Sequence, residues 1–507
     1  MTDEKNTLPQ SKRIVIAIAF SILSGALLFL AYPPVNFWPL IFVAIVPYAL
    51  AQFRFMPRKW APLAPTITMT LFLWPYLARI FGIPGAPFFF RHMGLLFGIV
   101  TLFTSTERRF HEITRYRYFV LQGIFAWVGF EMIRGLIPVL GTIGFVGNTL
   151  ASQAWLIQPI SIFSIYGLNL LIILVNYSLA FLALRWVDMR YKFEDSFPVD
   201  PIHARRWALI CLAVSALWVA GSLVMYQIPL ESPTVRIAAL HNYFDAPGHQ
   251  ADDTEQASRV ASFSEQAREA ARQGAEVIFI PEMAFGFDPQ TSYTEEFRAL
   301  AAETNAYLYI TYAYHEENGW HNETVLLSPD GEFTNQYGKL HAFGEPRTVS
   351  SGTFPVQETP LGTLGSIICM DGVFTDAARF VTRNHAQLLA IPSYNTTVGI
   401  SEHNWTHFLM RSVENRVPVI NTDRGLVSMV TDARGKILAF ARTPKGGSEL
   451  LVANIPLGTG SSPYHFLGDW LGWVSLGGFI FFNIFQMVIE KRAKNEKKEI
   501  LKKSKPN

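Results

Sequence analysis

The first half of the sequence consists largely of apolar stretches that are nearly long enough to cross a lipid bilayer. A hydrocarbon core of about 30 Å requires roughly 20 apolar residues in a helix. The stretches that approach this length are 14–31, 37–53, 67–82, 93–104, 118–133, 168–186, 207–226 and 470–489. They predict a polytopic α-helical membrane bundle of about eight transmembrane helices, about seven of which lie within residues 1–229.

The composition is consistent with a membrane protein. Of the 507 residues 50% are hydrophobic and only 16% are charged, which is too apolar for an ordinary soluble protein. The net charge of +2 argues against nucleic acid as a partner. No glycine-rich phosphate loop is present, so no cofactor is expected. The two cysteines, Cys211 in an apolar stretch and Cys369 in a polar one, do not indicate a disulfide.

Basic residues are clustered in alternate loops between the apolar stretches. Lysine and arginine near helix ends are retained preferentially in the cytoplasm. The clusters are Lys12 and Arg13; Arg54, Arg58 and Lys59; Arg108, Arg109, Arg115 and Arg117; and Arg185, Arg190, Lys192, Arg205 and Arg206. Seven crossings from a cytoplasmic N-terminus place residues 230–460 outside the cytoplasm. A last helix within 461–490 then returns the basic tail, 491–507, to the cytoplasm.

Between residues 233 and 456 the pattern changes to short β-branched runs that alternate with amphipathic, alanine-rich stretches. This pattern is typical of an α/β domain. The candidate strands are 235–242, 276–281, 306–314, 323–328, 365–370, 387–393, 418–422, 426–431 and 450–455. The candidate helices are 253–273, 294–303, 375–384 and 404–415, the first of them capped by Asp252 or Asp253 and ended by Gly274.

Three polar segments of this region contain residues suited to catalysis. Glu282 ends an apolar strand, where a carboxyl group can act as a general base, although a structural ion pair fits equally well. Lys339 and Glu345 share a loop, but a lone lysine is usually only solvated. Cys369 follows an apolar strand and precedes a helix, a position that favours a reactive thiol; an inert core cysteine is the alternative.

The order of these segments resembles the nitrilase, or carbon-nitrogen hydrolase, superfamily. It runs from Pro281-Glu282 through a lysine loop that ends in Phe343-Gly344-Glu345 to Ile368-Cys369. With the preceding apolar helices, the chain resembles the apolipoprotein N-acyltransferase family. The resemblance extends to Leu30–Pro39, Phe130-Glu131, Arg134-Gly135, Tyr166-Gly167-Leu168, Asn322, Asp330-Gly331 and Gly468-Asp469-Trp470.

The resemblance implies both a fold and a reaction. Residues 230–460 would form an αββα sandwich in which Glu282 is the general base, Lys339 stabilises the oxyanion, Cys369 is the nucleophile and Glu345 assists. An acyl group would pass from a phospholipid, through a thioester on Cys369, to the α-amine of the N-terminal diacylglyceryl-cysteine of an apolipoprotein. The family implies a monomer in the bacterial inner membrane, with the catalytic domain on the periplasmic side and without a cofactor or metal.

The sequence departs from the family pattern around the implied pocket. The family has Cys-Tyr-Glu at the nucleophile, where this chain has Cys369 followed by Met370 and Asp371, both taken as supporting residues. Residues 393–397 lack the acid and the tryptophan of the family's Ser-Asn-Asp-Ala-Trp, and residues 241–245 lack its Gln-Gly-Asn run. These changes leave the reaction type standing and the substrate open, as in a divergent paralogue.

Three alternatives therefore remain at this point. Besides the reaction of the family, the chain could be a membrane-tethered nitrilase-type amidase, an N-acyltransferase for another amine, or a non-catalytic membrane binding or transport protein. A metal site is a further alternative, because His403 and His407 stand one helical turn apart. They have no evident third ligand in the sequence, so packing histidines and no metal are expected.

Overall fold

The structure is a computed structural model, which describes residues 7–82, 88–104, 106–193, 196–443 and 445–503. The last four residues of the predicted basic tail lie outside the described residues. The chain forms two compact units. One comprises Met1–Ile133, Tyr166–Ala220 and Leu471–Asn507; the other comprises Arg134–Ile165 and Gly221–Trp470. The predicted domain boundaries at residues 229, 460 and 490 stay predictions.

Most described residues of the first unit are helical, and the second unit contains further helices. In chain order the helices are α1 (Gln10–Ala31), α2 (Val46–Leu50), α3 (Leu63–Phe81), α4 (Phe88–Thr104), α5 (Arg108–Ile113), α6 (Phe119–Gly135), α7 (Ala154–Ile157), α8 (Ile160–Arg190), α9 (Pro201–Gln227), α10 (Asp253–Arg272), α11 (Thr294–Thr304), α12 (Asp376–Arg383), α13 (Val398–Asn415), α14 (Pro463–Leu467) and α15 (Trp470–Lys503).

Every predicted apolar stretch coincides with helical structure, and several can cross a membrane. Among the described residues, five helical segments are long and apolar enough: Gln10–Ala31, Trp38–Phe55, Ile160–Arg190, Pro201–Gln227 and Trp470–Glu496. The second of these is not a regular α-helix, because a 3-10 turn precedes α2 and a π-helical turn follows it. The prediction of several apolar helices is confirmed, whereas the number of about eight crossings stays a prediction.

Small residues allow α1 and α3 to approach closely. A Cβ atom added at Gly25 of α1 would lie 3.0 Å from the Cβ of Leu71 and 3.1 Å from the carbonyl oxygen of Thr68. Thr68 also donates a hydrogen bond of 2.9 Å to the carbonyl oxygen of Ser21. In a bilayer the lipid tails are as apolar as the helix surfaces, so the hydrophobic effect does not drive helices together. Close packing of small side chains and hydrogen bonds between helices stabilise their association instead.

The second unit contains two six-stranded sheets. Its strands are β1 (Thr234–His241), β2 (Val277–Phe279), β3 (Tyr307–Glu316), β4 (Gly319–Leu327), β5 (Phe333–Gly338), β6 (Val356–Thr359), β7 (Gly362–Ser366), β8 (Leu388–Ser393), β9 (Val419–Asp423), β10 (Val427–Thr431), β11 (Ile437–Arg442) and β12 (Glu449–Pro456). The strand orders are β12-β1-β2-β3-β4-β5 and β11-β10-β9-β8-β7-β6. In each sheet the central pairs are parallel and the outer pairs antiparallel.

The two sheets face each other across a shared core and are covered by helices. Side chains of both sheets form this core, among them Ile237, Phe279, Leu388 and Ile420. On the other face of the first sheet, Phe263 of α10 and Phe297 of α11 belong to a second core. Helices α12 and α13 pack against the second sheet. The αββα sandwich that the sequence resemblance implies is therefore confirmed.

The structure corrects some of the element boundaries. Strand β7 ends at Ser366, and Cys369–Val373 forms a 3-10 turn, so the predicted strand 365–370 is too long. Helix α13 begins at Val398, earlier than predicted, because the hydroxyl of Thr397 accepts a hydrogen bond from the amide of Ile400. Helix α10 begins at Asp253 with Asp252 as its cap, as predicted.

Candidate active site

Glu282 lies just beyond the carboxyl end of β2 and is almost fully buried. Its side chain is 1% exposed. One carboxylate oxygen, Oε1, accepts hydrogen bonds from Lys339 Nζ at 2.8 Å and Asn322 Nδ2 at 2.8 Å. The other, Oε2, accepts from the backbone N–H of Tyr394 at 2.7 Å. The three donors hold the carboxylate in one orientation.

Lys339 follows β5 and enters the same buried cluster. Its ammonium contacts the carboxylates of both Glu282 and Glu345, and its side chain is only 4% exposed. Asn322 of β4 bridges the same two carboxylates, because its Nδ2 also donates to Glu345 Oε2 at 3.1 Å. The carbonyl oxygen of Asn322 accepts the backbone N–H of Lys339 at 3.0 Å, which fixes the start of the lysine loop against the strand.

Cys369 opens the 3-10 turn that follows β7. Its backbone φ is +47°, a left-handed conformation that is uncommon for a residue other than glycine and is enriched at functional sites. The thiol lies near the Glu282 carboxylate and the backbone N–H of Tyr394, and both groups influence its pKa. The structure thus brings the predicted residues Glu282, Lys339 and Cys369 together, with Glu345 beside Lys339.

Burial and the neighbouring charges change the proton affinities of these groups. Burial raises the pKa of the Cys369 thiol, and the Glu282 carboxylate raises it further, while Lys339 opposes them. Burial lowers the pKa of Lys339, but Glu282 and Glu345 outweigh it and the pKa is raised. Burial likewise raises the pKa of Glu345, which Lys339 opposes. The resting state is therefore a neutral thiol beside an ammonium group.

Asp371 connects the nucleophile turn to the lysine loop. Its Oδ1 accepts the backbone N–H of His341 at 2.7 Å, and its Oδ2 accepts the Tyr337 hydroxyl at 2.7 Å. The N–H groups of Ile368 and Leu340 also donate to Oδ2, at 3.1 and 3.3 Å. Asp371 is fully buried, and its neighbour Met370 is 4% exposed. Asp371 therefore links two backbone segments, and its supporting role in the reaction stays a prediction.

The departures from the family pattern are occupied by aromatic side chains. Tyr394 packs its ring against Phe244 with a centroid distance of 5.8 Å, and the guanidinium group of Arg424 lies over the Tyr394 ring. Tyr394, Arg424 and the bridging role of Asn322 were not predicted from the sequence. Asn322 belongs to the residues that carry the family resemblance, so the sequence could have indicated it. Arg424 lies in the turn between β9 and β10, outside any motif, so nothing in the sequence indicated it.

His403 and His407 are both buried in α13 and contact each other. Their Nε2 atoms are 2.7 Å apart, and His407 Nδ1 lies 2.7 Å from the hydroxyl of Thr142. Burial lowers the pKa of His403 to about 3, so the pair is neutral. Within the described ranges, no group of three His, Cys, Asp or Glu side chains is arranged to hold a metal ion.

The cluster contains the groups that acyl transfer requires. A carboxylate that accepts a hydrogen bond from a thiol can take its proton, and an ammonium group beside the sulfur can offset negative charge on a carbonyl oxygen. The second carboxylate keeps the ammonium charged and oriented. The arrangement is suited to attack of sulfur on an ester or amide carbonyl.

Known proteins that resemble this chain include an acyltransferase and amidases. The carbon-nitrogen hydrolase family model matches residues 237–462, and the model of the apolipoprotein N-acyltransferase N-terminal domain matches residues 24–178. An apolipoprotein N-acyltransferase of Geobacter metallireducens is 25% identical over 500 residues, which cover 90% of this chain and 93% of that relative. The omega-amidase NIT2 of Homo sapiens is 30% identical over 178 residues, which cover 30% of this chain and 63% of the relative.

Solved structures also match part of this chain. Saccharomyces cerevisiae Nit3, a member of the nitrilase superfamily, is 22% identical with a TM-score of 0.39, and the match covers 45% of this chain and 92% of that chain. An amidase from Nesterenkonia sp. is 21% identical with a TM-score of 0.36, over 44% of this chain and 90% of that chain.

Proposed function

Because the chain belongs to the apolipoprotein N-acyltransferase family of the nitrilase superfamily, we propose that it transfers a fatty acyl group from a phospholipid to the α-amine of the N-terminal diacylglyceryl-cysteine of apolipoproteins. The observation that carries the proposal is the buried cluster in which Glu282 contacts the Lys339 ammonium and raises the pKa of the nearby Cys369 thiol. A membrane enzyme also has direct access to a donor that is nearly insoluble in water.

In the first half-reaction Glu282 takes the thiol proton and the sulfur of Cys369 attacks the ester carbonyl of the phospholipid. The Lys339 ammonium stabilises the tetrahedral oxyanion. Collapse of this intermediate breaks the ester C–O bond, and the leaving alcohol oxygen of the lysophospholipid takes the proton from Glu282. The products are a thioester on Cys369 and a lysophospholipid.

In the second half-reaction the α-amine of the acceptor attacks the thioester carbonyl. Glu282 takes a proton from the amine, the C–S bond breaks, and the sulfur leaves and is reprotonated. The products are an amide and the free thiol. Water must reach the thioester more slowly than the amine does, which an apolar pocket accomplishes by excluding it. The orientation of the catalytic region toward the periplasm and a monomeric state complete the proposal.

A thioester trap tests the nucleophile, the donor class and the mechanism together. The purified full-length chain is incubated with phospholipid, and the peptide that contains Cys369 is examined by mass spectrometry for an acyl group that hydroxylamine removes. We expect acylation in the wild type and in the matched variant Cys211→Ser, and none in Cys369→Ala. Acylation that persists in Cys369→Ala, or is absent from the wild type, contradicts the proposed mechanism.

The pocket departures favour a second candidate, an amidase or an N-acyltransferase for a different amine. Met370 stands where the family pattern has a tyrosine, and Tyr394 and Asn395 stand where it has Asn-Asp. Depletion of the chain followed by mass spectrometry of lipoprotein N-termini separates the two functions. Loss of N-acylation supports the first, and unchanged N-acylation with a functional Cys369 thioester supports the second.

A further inference from the structure

Arg424 is held between two tyrosine rings beside the proposed reaction centre. Its guanidinium carbon lies 4.7 Å from the ring centroid of Tyr394 and 5.6 Å from that of Tyr243. Nη1 donates hydrogen bonds to the Tyr394 hydroxyl at 2.6 Å and to the carbonyl oxygen of Asp245 at 3.2 Å. Stacking and hydrogen bonds together fix the plane of the guanidinium group.

Tyr394 connects this cation directly to the reacting atoms. The backbone N–H of Tyr394 donates to Glu282 Oε2 at 2.7 Å and lies near the thiol of Cys369, while its hydroxyl accepts from Arg424. Arg424 is therefore one tyrosine side chain away from the thiol and the carboxylate. A substrate group bound by Arg424 would stand at a fixed distance from the carbonyl that Cys369 attacks.

Arg424 has no carboxylate partner among the described residues, whereas three other arginines of the same unit form ion pairs. Arg259 pairs with Glu255, Arg434 with Asp432 and Arg442 with Glu402. The Nη2 of Arg424 has no hydrogen-bond partner in the described part of the chain, and its Nε is buried without one. A half-buried cation without a counter-ion is costly unless a ligand supplies the negative charge.

We propose that Arg424 binds the phosphodiester of the acyl donor, a role that rests on the proposed function. A planar guanidinium presents paired N–H donors that match the oxygens of a phosphate group, and its orientation is already fixed by the two tyrosines. In a glycerophospholipid the phosphodiester and the ester carbonyl are joined by the glycerol unit. Arg424 thus holds the head group while the ester reaches Cys369, and it is a specificity-determining residue for phosphate-containing donors.

The test compares two acyl donors on the full-length enzyme in detergent micelles. One donor is a phospholipid, and the other is a p-nitrophenyl ester of the same fatty acid, which has no phosphate. The measured quantity is the second-order rate constant for formation of the Cys369 thioester. For Arg424→Gln we expect this constant to fall about 10- to 100-fold with phospholipid, the effect of losing charge-assisted hydrogen bonds, and to stay within about twofold with the ester.

Two further variants make the test decisive. Arg268→Gln removes an exposed arginine of α10 that pairs with Glu303, and it is expected to react like the wild type with both donors. Arg424→Lys keeps the positive charge but lacks the planar guanidinium group, so its rate constant with phospholipid should fall less than that of Arg424→Gln. It also serves as the test variant if Arg424→Gln does not fold.

If Arg424→Gln loses the same rate with both donors, Arg424 only positions Tyr394. If the variant loses no rate with either donor, Arg424 binds nothing in the reaction. Both outcomes overturn the proposal. Absence of a thioester in the wild type overturns the proposed function instead. Reaction of the wild type with the ester but not with phospholipid overturns the assignment of Arg424 to a donor phosphodiester, while Cys369 remains the nucleophile.

Discussion

Lys339 is the one cation in direct contact with the two buried carboxylates of the candidate site, Glu282 and Glu345, among the described residues. Asn322 supplies a neutral donor to both of them, but it cannot offset their charge. The ammonium group therefore has two physical tasks, stabilising the folded site and stabilising the oxyanion. Both tasks depend on the same charge, so the removal of this lysine has a stability signature as well as a catalytic one.

Lys339→Met is expected to lower the free energy of unfolding by about 3–5 kcal/mol at neutral pH, because it leaves buried carboxylates uncompensated. Burial already raises the pKa of Glu345, and loss of Lys339 removes the group that opposes this rise. A carboxyl whose folded-state pKa is raised favours folding at low pH and loses that contribution as the pH rises through it. The melting temperature of the variant should therefore increase from pH 8 to pH 5 relative to the wild type.

The control is Lys436→Met, which removes an exposed lysine outside the candidate site. It should leave the pH dependence of melting as in the wild type. A Lys339→Met variant whose melting temperature follows the wild-type pH dependence would show that Lys339 does not compensate the two carboxylates.

The thiol of Cys369 is predicted to be protonated in the free enzyme, because burial and the Glu282 carboxylate both raise its pKa. In a Cys211→Ser background, its alkylation by iodoacetamide should keep accelerating as the pH rises above 9 instead of levelling off below it. Glu282→Gln removes the carboxylate that raises this pKa, so alkylation at neutral pH should become faster.

The same Glu282→Gln variant should lose acylation by phospholipid about 10²- to 10⁴-fold, the usual contribution of a general base. Opposite changes in alkylation and acylation identify a base only if the melting temperature of the variant stays close to that of the wild type, because misfolding would also expose the buried thiol and speed its alkylation. Parallel losses of both rates would contradict the assignment of Glu282.

The 3-10 turn that carries Cys369 is braced at both of its ends. Asp371 ties the turn to the lysine loop, as described above. At the other end Val373 accepts two hydrogen bonds from Thr142, one from its hydroxyl at 2.6 Å and one from its backbone N–H at 3.2 Å. Thr142 belongs to the segment that follows α6 in the chain, so a loop between apolar helices contributes to the geometry of the nucleophile.

The direction of the hydrogen bonds at Thr142 follows from the chemistry of the groups. Since its hydroxyl donates to the carbonyl oxygen of Val373, it must accept from His407, so Nδ1 of His407 carries the proton. Burial lowers the pKa of His407 and keeps the ring neutral, and its Nε2 then accepts from His403. The chain of donors runs from His403 through His407 and Thr142 to the turn.

Thr142→Val removes the hydroxyl and leaves a buried His407 N–H without an acceptor, which should lower the free energy of unfolding by about 1–3 kcal/mol. Because the turn loses a brace, acylation of Cys369 by phospholipid should slow about tenfold. Thr142→Ser, which retains the hydroxyl, should restore the rate.

Thr431→Val is the matched control, since the hydroxyl of this buried threonine accepts from the amide of Val419 on the neighbouring strand and not from the turn. It should cost comparable stability without a comparable loss of acylation. A similar slowing in both variants would mean that the effect of Thr142 is general destabilisation.

The elements that form the site differ in how far the sequence predicts them. The strands before Glu282 and after Cys369, β2 and β8, are buried runs bounded by turn residues, and both were predicted. The strands that were missed, β5, β6 and β11, all lie at sheet edges, and β5 and β6 are short runs with few apolar residues. Lys339 follows one of these edge strands, so its position was predicted by the resemblance and not by periodicity.

The side chains of the site show the same limit. Glu282, Lys339 and Cys369 belong to a motif order, and the sequence is sufficient to single them out. Tyr394 acts at the reacting atoms through its backbone N–H, which any residue except proline could supply, so its identity contains no signal. The lack of a counter-ion for Arg424 depends on tertiary contacts alone.

At the scale of the whole molecule, one polar region lies in the sequence between two regions of apolar helices. The five helical segments that can cross a membrane are found on both sides of the sandwich in the sequence. A water-insoluble donor explains why a nitrilase-like fold would be combined with such helices. The distribution of basic loops then makes a specific prediction about the side of the membrane on which the chemistry occurs.

Single cysteines introduced into a Cys211→Ser, Cys369→Ala background test this orientation in spheroplasts. Glu265 is exposed on α10 of the sandwich, and Arg492 is exposed near the end of α15. If basic loops are retained in the cytoplasm, Glu265→Cys should react with a membrane-impermeant maleimide from outside, and Arg492→Cys should react only after lysis. Labelling of Arg492→Cys in intact spheroplasts, or protection of Glu265→Cys, would place the reaction centre on the cytoplasmic side of the membrane. An exported lipoprotein would no longer be accessible there. Because an odd number of crossings must separate the two positions, labelling of both from one side would also contradict a membrane-crossing α15.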